Sequence, residues 1–272
     1  MTDAAIQPTA TQPRAADILV QRLVALGADT AFCVAGESYL DVLDAFYTQG
    51  APRMLPCRHE GGAAFMAEAH GKLTGKPGIC FVTRGPGACN ASIGVHTARQ
   101  DSTPMILFIG QVPRRHSGRE AFQEIDFRAM FGPVAKGTFR VADPARMGEI
   151  VTRAWTTAMS GRPGPVIVEL PEDVLREPVA EDEPAPLTLS DPAPWGADMD
   201  RLATLLNDAR SPLVITGGNL WTDDATTPCR RWRLNSNCRS QRHSAARTAL
   251  PTRMNAILAT WAPGPTRPCM NG

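Results

Sequence analysis

The sequence lacks closely spaced cysteines and long apolar runs. Its seven cysteines form no C-x-x-C motif, and no histidine pair has zinc-finger spacing, so we predict reduced cysteines and no metal-ligating residues. No run of eighteen apolar residues occurs, and the N-terminus has no basic start followed by an apolar segment. We therefore expect a soluble cytoplasmic protein with a flexible leader over residues 1–13 and no membrane partner.

Acidic residues are absent from the last part of the chain. Residues 228–272 contain eight arginines but no Lys, Asp or Glu, whereas the preceding residues carry a net charge of −7. The segment shows no sustained period of 2 or 3.6 residues, which predicts an irregular tail. An arginine-rich arm that binds nucleic acid is one interpretation. Loss of the coding frame near residue 227 is another, and we favour it because the pattern of a basic arm is missing; we expect no nucleic-acid partner.

Short apolar strands alternate with helical patterns over residues 14–177. The predicted strands are 30–36, 53–59, 78–83, 104–111 and 164–171, and helices are predicted at 15–27, 37–50, 60–74, 88–100 and 144–161. This alternation is typical of an α/β fold with a doubly wound parallel sheet. The Pro-rich and acidic segment 178–196 is typical of a linker. The helical pattern and the following strand pattern in residues 197–227 predict the start of a second α/β domain, which is not completed.

Four segments that follow predicted strands could form a common crevice, because ligands bind at the carboxyl ends of parallel strands. One of them places Glu60 at the start of an alanine-rich helix, where a lone glutamate usually complements the helix dipole as a surface charge. Another contains Gly85-Pro86-Gly87, which alone is a turn sequence. The segments are 34–37, 58–62, 83–90 and 110–112.

The order and spacing of these motifs resemble a known family. The stretches "VAGES", "RHEGGAAFMAEAHGKLTGKPGICFVTRGPGACN", "HTARQDSTPMILFIGQVPR", "AFQEID" and "GRPGPVIVELPEDV" are similar to the N-terminal pyrimidine-binding domain of thiamine-diphosphate-dependent enzymes, in particular the acetolactate synthase group. The resemblance covers about residues 14–177 and, more weakly, 197–220. It implies a carboligase or decarboxylase that acts on a 2-oxo acid such as pyruvate, as in branched-chain amino acid biosynthesis.

The resemblance also implies roles for individual residues. In the family, the glutamate that matches Glu60 hydrogen-bonds N1′ of the aminopyrimidine and shifts it toward the imino tautomer. The pyrimidine pocket would be lined by Val34, Gly36, Gly85, Pro86, Gly87 and Asn90. Substrate-side positions match Gln111, Phe122, Gln123 and Lys136. Arg84 stands where the family commonly has serine, so it could bind a carboxylate or pair with an acid, and His59 is more often structural than a proton-transfer group at such a position.

The sequence lacks the family's metal-binding motif. In these enzymes the cofactor diphosphate is held through Mg²⁺ by a domain that carries Gly-Asp-Gly, a tripeptide that occurs nowhere in this chain. We therefore expect a truncated chain that holds the pyrimidine half of thiamine diphosphate, is inactive alone, and binds neither Mg²⁺ nor FAD alone. It would need a homodimer or a partner chain with the diphosphate-binding domain. Two alternatives stay open: a sibling 2-oxo acid decarboxylase or 2-hydroxyacyl-CoA lyase, and a non-catalytic subunit or interaction module.

Overall fold

The computed structural model describes residues 12–180, 194–210, 213–216, 223–235 and 239–242. It divides into two compact units, residues 1–192 and 193–272, which are treated separately. Almost all of the expected leader and most of the expected linker lie outside the described residues. At the start of that linker, the backbone N–H of Val179 donates to the carbonyl of Pro13 at 2.8 Å.

The first unit is built on a six-stranded sheet in which every neighbouring pair is parallel. The order along the sheet is β2-β1-β3-β4-β6-β5. The strands are β1 (Thr30–Cys33), β2 (Arg53–Pro56), β3 (Gly78–Thr83), β4 (Met105–Gln111), β5 (Gly137–Arg140) and β6 (Pro165–Pro171). The sequence pattern did not predict β5, because this edge strand is partly exposed and carries no apolar run.

Helices cover both faces of this sheet, which confirms the doubly wound fold class. They are α1 (Ala15–Ala25), α2 (Leu40–Gln49), α3 (Glu60–Thr74), α4 (Arg84–Asp101), α5 (Phe127–Phe131), α6 (Met147–Met159) and α7 (Glu172–Leu175). One apolar core joins α1, α2, α6 and α7 to one face. The other core joins α3, α4 and α5 to the opposite face.

The start of α4 differs from the sequence expectation. Gly85-Pro86-Gly87 does not form a separate turn before the helix but lies in its first turn, which begins at Arg84. Proline is tolerated there because the first N–H groups of a helix have no intrahelical acceptor. The helix therefore starts at the end of β3, and its N-terminal turn reaches the carboxyl edge of the sheet.

The second unit contains two helices and two strands among its described residues. They are α8 (Gly196–Asp208), β7 (Leu213–Thr216), α9 (Asp223–Asn235) and β8 (Arg239–Arg242), and β7 pairs with β8 in parallel. The helix and strand expected near its start are present as α8 and β7. The sequence pattern did not predict α9, which has Pro228 inside it, or β8. Residues 243–272 of the expected tail lie outside the described residues.

No helix within the described ranges is both long and apolar enough to cross a membrane.

Small residues let α3 and α4 pack closely on each other and on the sheet. A Cβ atom added to Gly94 of α4 would lie 2.5 Å from the Cβ of Ala64 on α3. A Cβ added to Gly78 would lie 1.8 Å from the carbonyl oxygen of Ala67. Neither distance can be reached by real atoms, so the spacing of these elements requires glycine at both positions.

We expect Gly94→Ala to lower the free energy of unfolding by about 1–3 kcal/mol, because the added methyl overpacks the contact with Ala64. Gly62→Ala is the matched control, since nothing lies within 4 Å of an added Cβ in this α3 position. The control should be neutral or stabilising by up to about 1 kcal/mol. Urea denaturation of both variants measures the difference, and equal stabilities would contradict the packing argument.

Candidate active site

His59 and Glu60 form the start of α3 at the carboxyl edge of the sheet. His59 is the N-cap residue, and its Nδ1 accepts a hydrogen bond from the backbone N–H of Gly61 at 3.0 Å. Because capping uses the Nδ1 lone pair, this contact supports the structural interpretation of His59. Glu60 follows as the first helical residue and is partly buried.

The Glu60 carboxylate is oriented by a residue from the neighbouring helix. Its Oε2 accepts a hydrogen bond from Nδ2 of Asn90 on α4 at 2.9 Å. Its Oε1 lies beside Gly87, 3.6 Å from where a Cβ of that residue would stand. An added Cβ on Gly87 would also lie 3.1 Å from the Cβ of Val82, so glycine lets the first turn of α4 lie close to both β3 and the carboxylate.

The loops around Glu60 pack without space for additional side-chain atoms. A Cβ on Gly61 would lie 3.1 Å from Nδ1 of His59, and one on Gly85 would lie 2.8 Å from Cδ1 of Ile125. A Cβ on Gly36 would lie 2.4 Å from the Cβ of Thr83. The loops that follow β1, β2 and β3 are thus held against one another and against the 121–125 segment.

The loop after β1 is tied to β3 by buried polar contacts. The N–H of Val34 donates to the carbonyl of Phe81 at 3.3 Å, and the Tyr39 hydroxyl donates to the carbonyl of Val34. The hydroxyls of Ser38 and Thr83 are 2.7 Å apart. Burial strongly raises the pKa of Tyr39, so its hydroxyl stays protonated and acts as a donor.

Arg84 pairs with two acids and has an unusual backbone. Its φ is +35°, a region unfavourable by about 1–3 kcal/mol for a residue with a side chain. Nη1 donates to Oε1 of Glu37 at 2.6 Å, and Nη2 donates to Oε2 of Glu172 at 3.2 Å. The residue is 7% exposed, and its buried Nε has no partner. Of the two roles that the sequence left open, the structure shows pairing with acids.

Three of the four expected substrate-side residues surround the start of α4. The carbonyl of Gln123 accepts from the N–H of Gly85 at 3.0 Å, and the Phe122 ring centroid is 6.0 Å from the guanidinium carbon of Arg84. Gln111 is buried at the end of β4, where its Nε2 donates to the carbonyl of Ile125 at 2.9 Å. These contacts bring Phe122, Gln123 and Gln111 to one edge.

Lys136 lies elsewhere in this chain. Its N–H donates to the carbonyl of Pro165 at 2.7 Å, immediately before β5 begins, so it stands at the amino edge of the sheet. Its ammonium group donates to the carbonyl of Ser160. Burial lowers the pKa of Lys136, and the nearby Arg99 charge lowers it further. The structure therefore does not group Lys136 with Glu60 or Gln111.

A cavity of about 630 Å³ lies beside these residues at the ends of β4, β5 and β6. Gln111, Arg140 and Glu169 are among its lining residues, and Glu60 is not. Arg140 and Glu169 are partners in the β5–β6 register, which places Nε of Arg140 3.3 Å from Oε1 of Glu169. Burial raises the pKa of Glu169 although Arg140 opposes this. The cavity thus neighbours the Glu60 region through Gln111.

Within the part of the chain that the structure describes, no group of three or more His, Cys, Asp or Glu side chains is arranged to hold a metal ion.

Sequence reasoning did not find the partners of Arg84. Glu37 follows β1 and Glu172 follows β6, so each carboxylate comes from a different strand end. The available signal was that both acids stand directly after predicted strands, at the edge that also receives Arg84. Glu37 and Glu172 are 47 and 88 residues from Arg84 in the chain, so no local sequence pattern predicts these contacts.

Comparison with known proteins identifies sequences that are similar to this chain. Residues 13–130 match the family model described as the thiamine pyrophosphate enzyme, N-terminal TPP binding domain. The acetolactate synthase large subunit of Parasynechococcus marenigrum is 39% identical over 201 residues, which cover 71% of this chain and 33% of that protein. Chloroplastic acetolactate synthase of Arabidopsis thaliana is 35% identical over 76% of this chain and 32% of that protein.

A third relative has similar coverage. The large subunit of acetolactate synthase isozyme 3 of Escherichia coli is 35% identical over 76% of this chain and 37% of that protein. The chain thus spans about a third of the length of the curated relatives it matches.

We expect His59→Ala to lower the free energy of unfolding by about 1 kcal/mol, because α3 loses its N-cap acceptor. His59→Asn should keep most of the stability, since asparagine is a preferred N-cap residue. Thermal and urea denaturation of the two variants measure the effect. A loss of equal size in both variants would show that the imidazole does more than cap the helix.

Proposed function

Because the chain carries the N-terminal pyrimidine-binding domain of the thiamine-diphosphate-dependent enzymes, we propose that it forms the pyrimidine half of an acetolactate synthase-like active site. The proposed reaction is carboligation or decarboxylation of 2-oxo acids such as pyruvate. The observation that carries the proposal is the carboxylate of Glu60, held by Asn90 at the edge where the loops after β1, β2 and β3 meet. The names of the relatives support the substrate class.

The geometry around Glu60 fits an aminopyrimidine ring. Such a ring is flat, and it presents one nitrogen that can share a proton with a carboxylate. Asn90 holds Oε2 of Glu60, while Oε1 lies beside Gly87 in the first turn of α4. Because Asn90 already orients the Glu60 carboxylate, binding of the ring does not have to offset the entropy lost when that side chain is fixed.

The residues of this chain have a limited set of tasks in the proposed mechanism. Bound thiamine diphosphate supplies the stabilisation of a carbanion, which no amino-acid side chain provides. Glu60 holds or releases a proton at the ring nitrogen, and Asn90 keeps the carboxylate in place. Glycines 85 and 87 keep the pocket wall flat. The loops after β1 and β3 exclude water from one side of the ring, as their close packing indicates.

We further propose that the diphosphate, with Mg²⁺, is bound by a second subunit or a partner chain. The exposed apolar side chains of α3 and α4 favour such an assembly. Phe65 and Met66 are 41% and 43% exposed, and Leu73 and Ile93 are 75% and 56% exposed. Exposed apolar side chains on two adjacent helices are typical of protein interfaces. In this proposal the whole enzyme is a cytoplasmic homodimer or hetero-oligomer, in which FAD belongs to the central domain.

We expect the purified chain to bind thiamine, which contains the aminopyrimidine without the diphosphate, and Glu60→Gln to weaken binding by about 10- to 100-fold. The estimate corresponds to loss of one charge-assisted hydrogen bond. Chemical-shift titration of the ¹⁵N-labelled chain with thiamine measures the affinity. Asn90→Ala should give a smaller loss, of about fivefold, because it removes a neutral donor that orients the carboxylate.

Glu149→Gln on α6 is the matched control, because this exposed carboxylate pairs with Arg146 on the surface. It should bind thiamine as the unmodified chain does. The proposal is wrong if the unmodified chain shows no shift changes around residues 60 and 85–90, or if Glu60→Gln binds thiamine with unchanged affinity.

A further inference from the structure

We propose that Arg84 is a carboxylate-binding residue for the 2-oxo acid, and that Glu37 occupies this carboxylate position when no substrate is bound. The inference rests on the proposed function, since it concerns the substrate of the same site. It starts from the unusual combination of a positive φ, deep burial and an unpartnered Nε at one arginine. Strained residues that persist in folded proteins concentrate at functional sites.

The position of Arg84 favours an anion. Arg84 is the first residue of α4, an 18-residue helix, and the unpaired N–H groups at a helix N-terminus attract negative charge. A guanidinium at the same place adds a full positive charge and donors in a planar fork. Nη1, which contacts the exposed carboxylate of Glu37, is the donor that a ligand carboxylate would take over.

The two acids that contact Arg84 are held differently. The Glu172 side chain is 22% exposed and also accepts from Arg176 at 3.0 Å, so it is fixed at two points. The Glu37 side chain is 67% exposed, and its described contact is with Nη1 of Arg84 at 2.6 Å. An ion pair with a largely exposed carboxylate contributes little to stability. Glu37 can therefore leave the guanidinium when another carboxylate arrives.

The surroundings select the kind of carboxylate. Glu172 stays next to the guanidinium, and Glu37 stays nearby, so a second negative charge on the ligand would be repelled. The Phe122 ring is 72% exposed and lies 6.0 Å from the guanidinium carbon, which offers an apolar surface to the rest of the ligand. The class of ligand that fits is a small monocarboxylate with a short apolar group, and pyruvate belongs to it.

Arg84 lies within reach of the cofactor half of the site along α4. Arg84 and Gly87 are three positions apart, although the positive φ of Arg84 means that its side chain does not follow the faces of the helix. Gly87 stands beside Oε1 of Glu60. A carboxylate held by Arg84 thus lies close along the chain to the place proposed for the pyrimidine ring.

The test is a titration of the ¹⁵N-labelled full chain with pyruvate, followed at the Nε resonance of Arg84 and at the amides of residues 84–87. Pyruvate and propanoate should shift these signals in a saturable way, and acetone, which lacks the carboxylate, should not. Glu37→Gln should tighten pyruvate binding by about fivefold or more, because the competing carboxylate becomes neutral. Arg84→Ser should weaken it by at least about tenfold, with Arg84→Lys in between.

The control is Arg153→Ser, which removes an arginine from above another aromatic ring, Phe139, at 5.1 Å, and should not change pyruvate binding. The inference is overturned if pyruvate binds Arg84→Ser or Arg84→Lys as tightly as the unmodified chain. It is also overturned if Glu37→Gln shows no gain, or if acetone shifts the same signals. Glu37→Gln keeps the test decisive if the Arg84 variants do not fold.

Thiamine titration of the same variants separates this inference from the proposed function. Thiamine binding that survives in Arg84→Ser together with unchanged pyruvate binding refutes the role of Arg84 alone. Absence of thiamine binding in the unmodified chain refutes the proposed function itself.

Discussion

The close approach of α3 to α4 is the constraint on which the candidate site depends. The Glu60 carboxylate and the Asn90 amide come from different helices, thirty positions apart, and they meet at 2.9 Å because no bulky side chain separates the helices. Gly94 lies directly on Ala64, and Gly78 lies on the backbone of Ala67. A larger residue at position 94 would push α4 away from α3, and one at position 78 would push α3 away from β3; either shift would disturb the hydrogen bond between Glu60 and Asn90. The close packing of small residues therefore sets the orientation of the Glu60 carboxylate.

Arginine–carboxylate pairs hold the loops at the same edge. Arg84 joins the loop after β1 to the turn after β6 through Glu37 and Glu172. Arg114, which follows β4, contacts Asp173 in that same turn at 2.8 Å. The loops after β1, β4 and β6 and the start of α4 thus form one connected network. Such pairs add little stability individually when they are partly exposed, but they restrict the positions of loops that would otherwise move independently.

The sequence predicted the parts of the structure that local patterns encode. Five apolar runs identified strands, and the glutamate after the second one marked the start of α3. Local patterns failed where contacts between distant segments determine the structure. β5 has no apolar run and is defined by its pairing with β6. Gly85-Pro86-Gly87 is helical because it forms the first turn of α4, directly after β3. The carboxylates that contact Arg84 come from distant segments that only the folded sheet brings together.

The small-residue contacts also bear on how such a domain can change over evolutionary time. Gly78 and Gly94 have no room for a side chain, and Ala64 meets Gly94 directly, so larger residues at these three positions are opposed by their effect on folding. Arg84 is held by side chains from loops, and a different residue at that position changes the contacts of the loops without moving either helix. Substitutions among the residues that contact Arg84 are therefore tolerated more readily than substitutions between α3 and α4, while the geometry of Glu60 and Asn90 persists. Under the proposed function, such a domain can change the acid that it accepts and keep one cofactor.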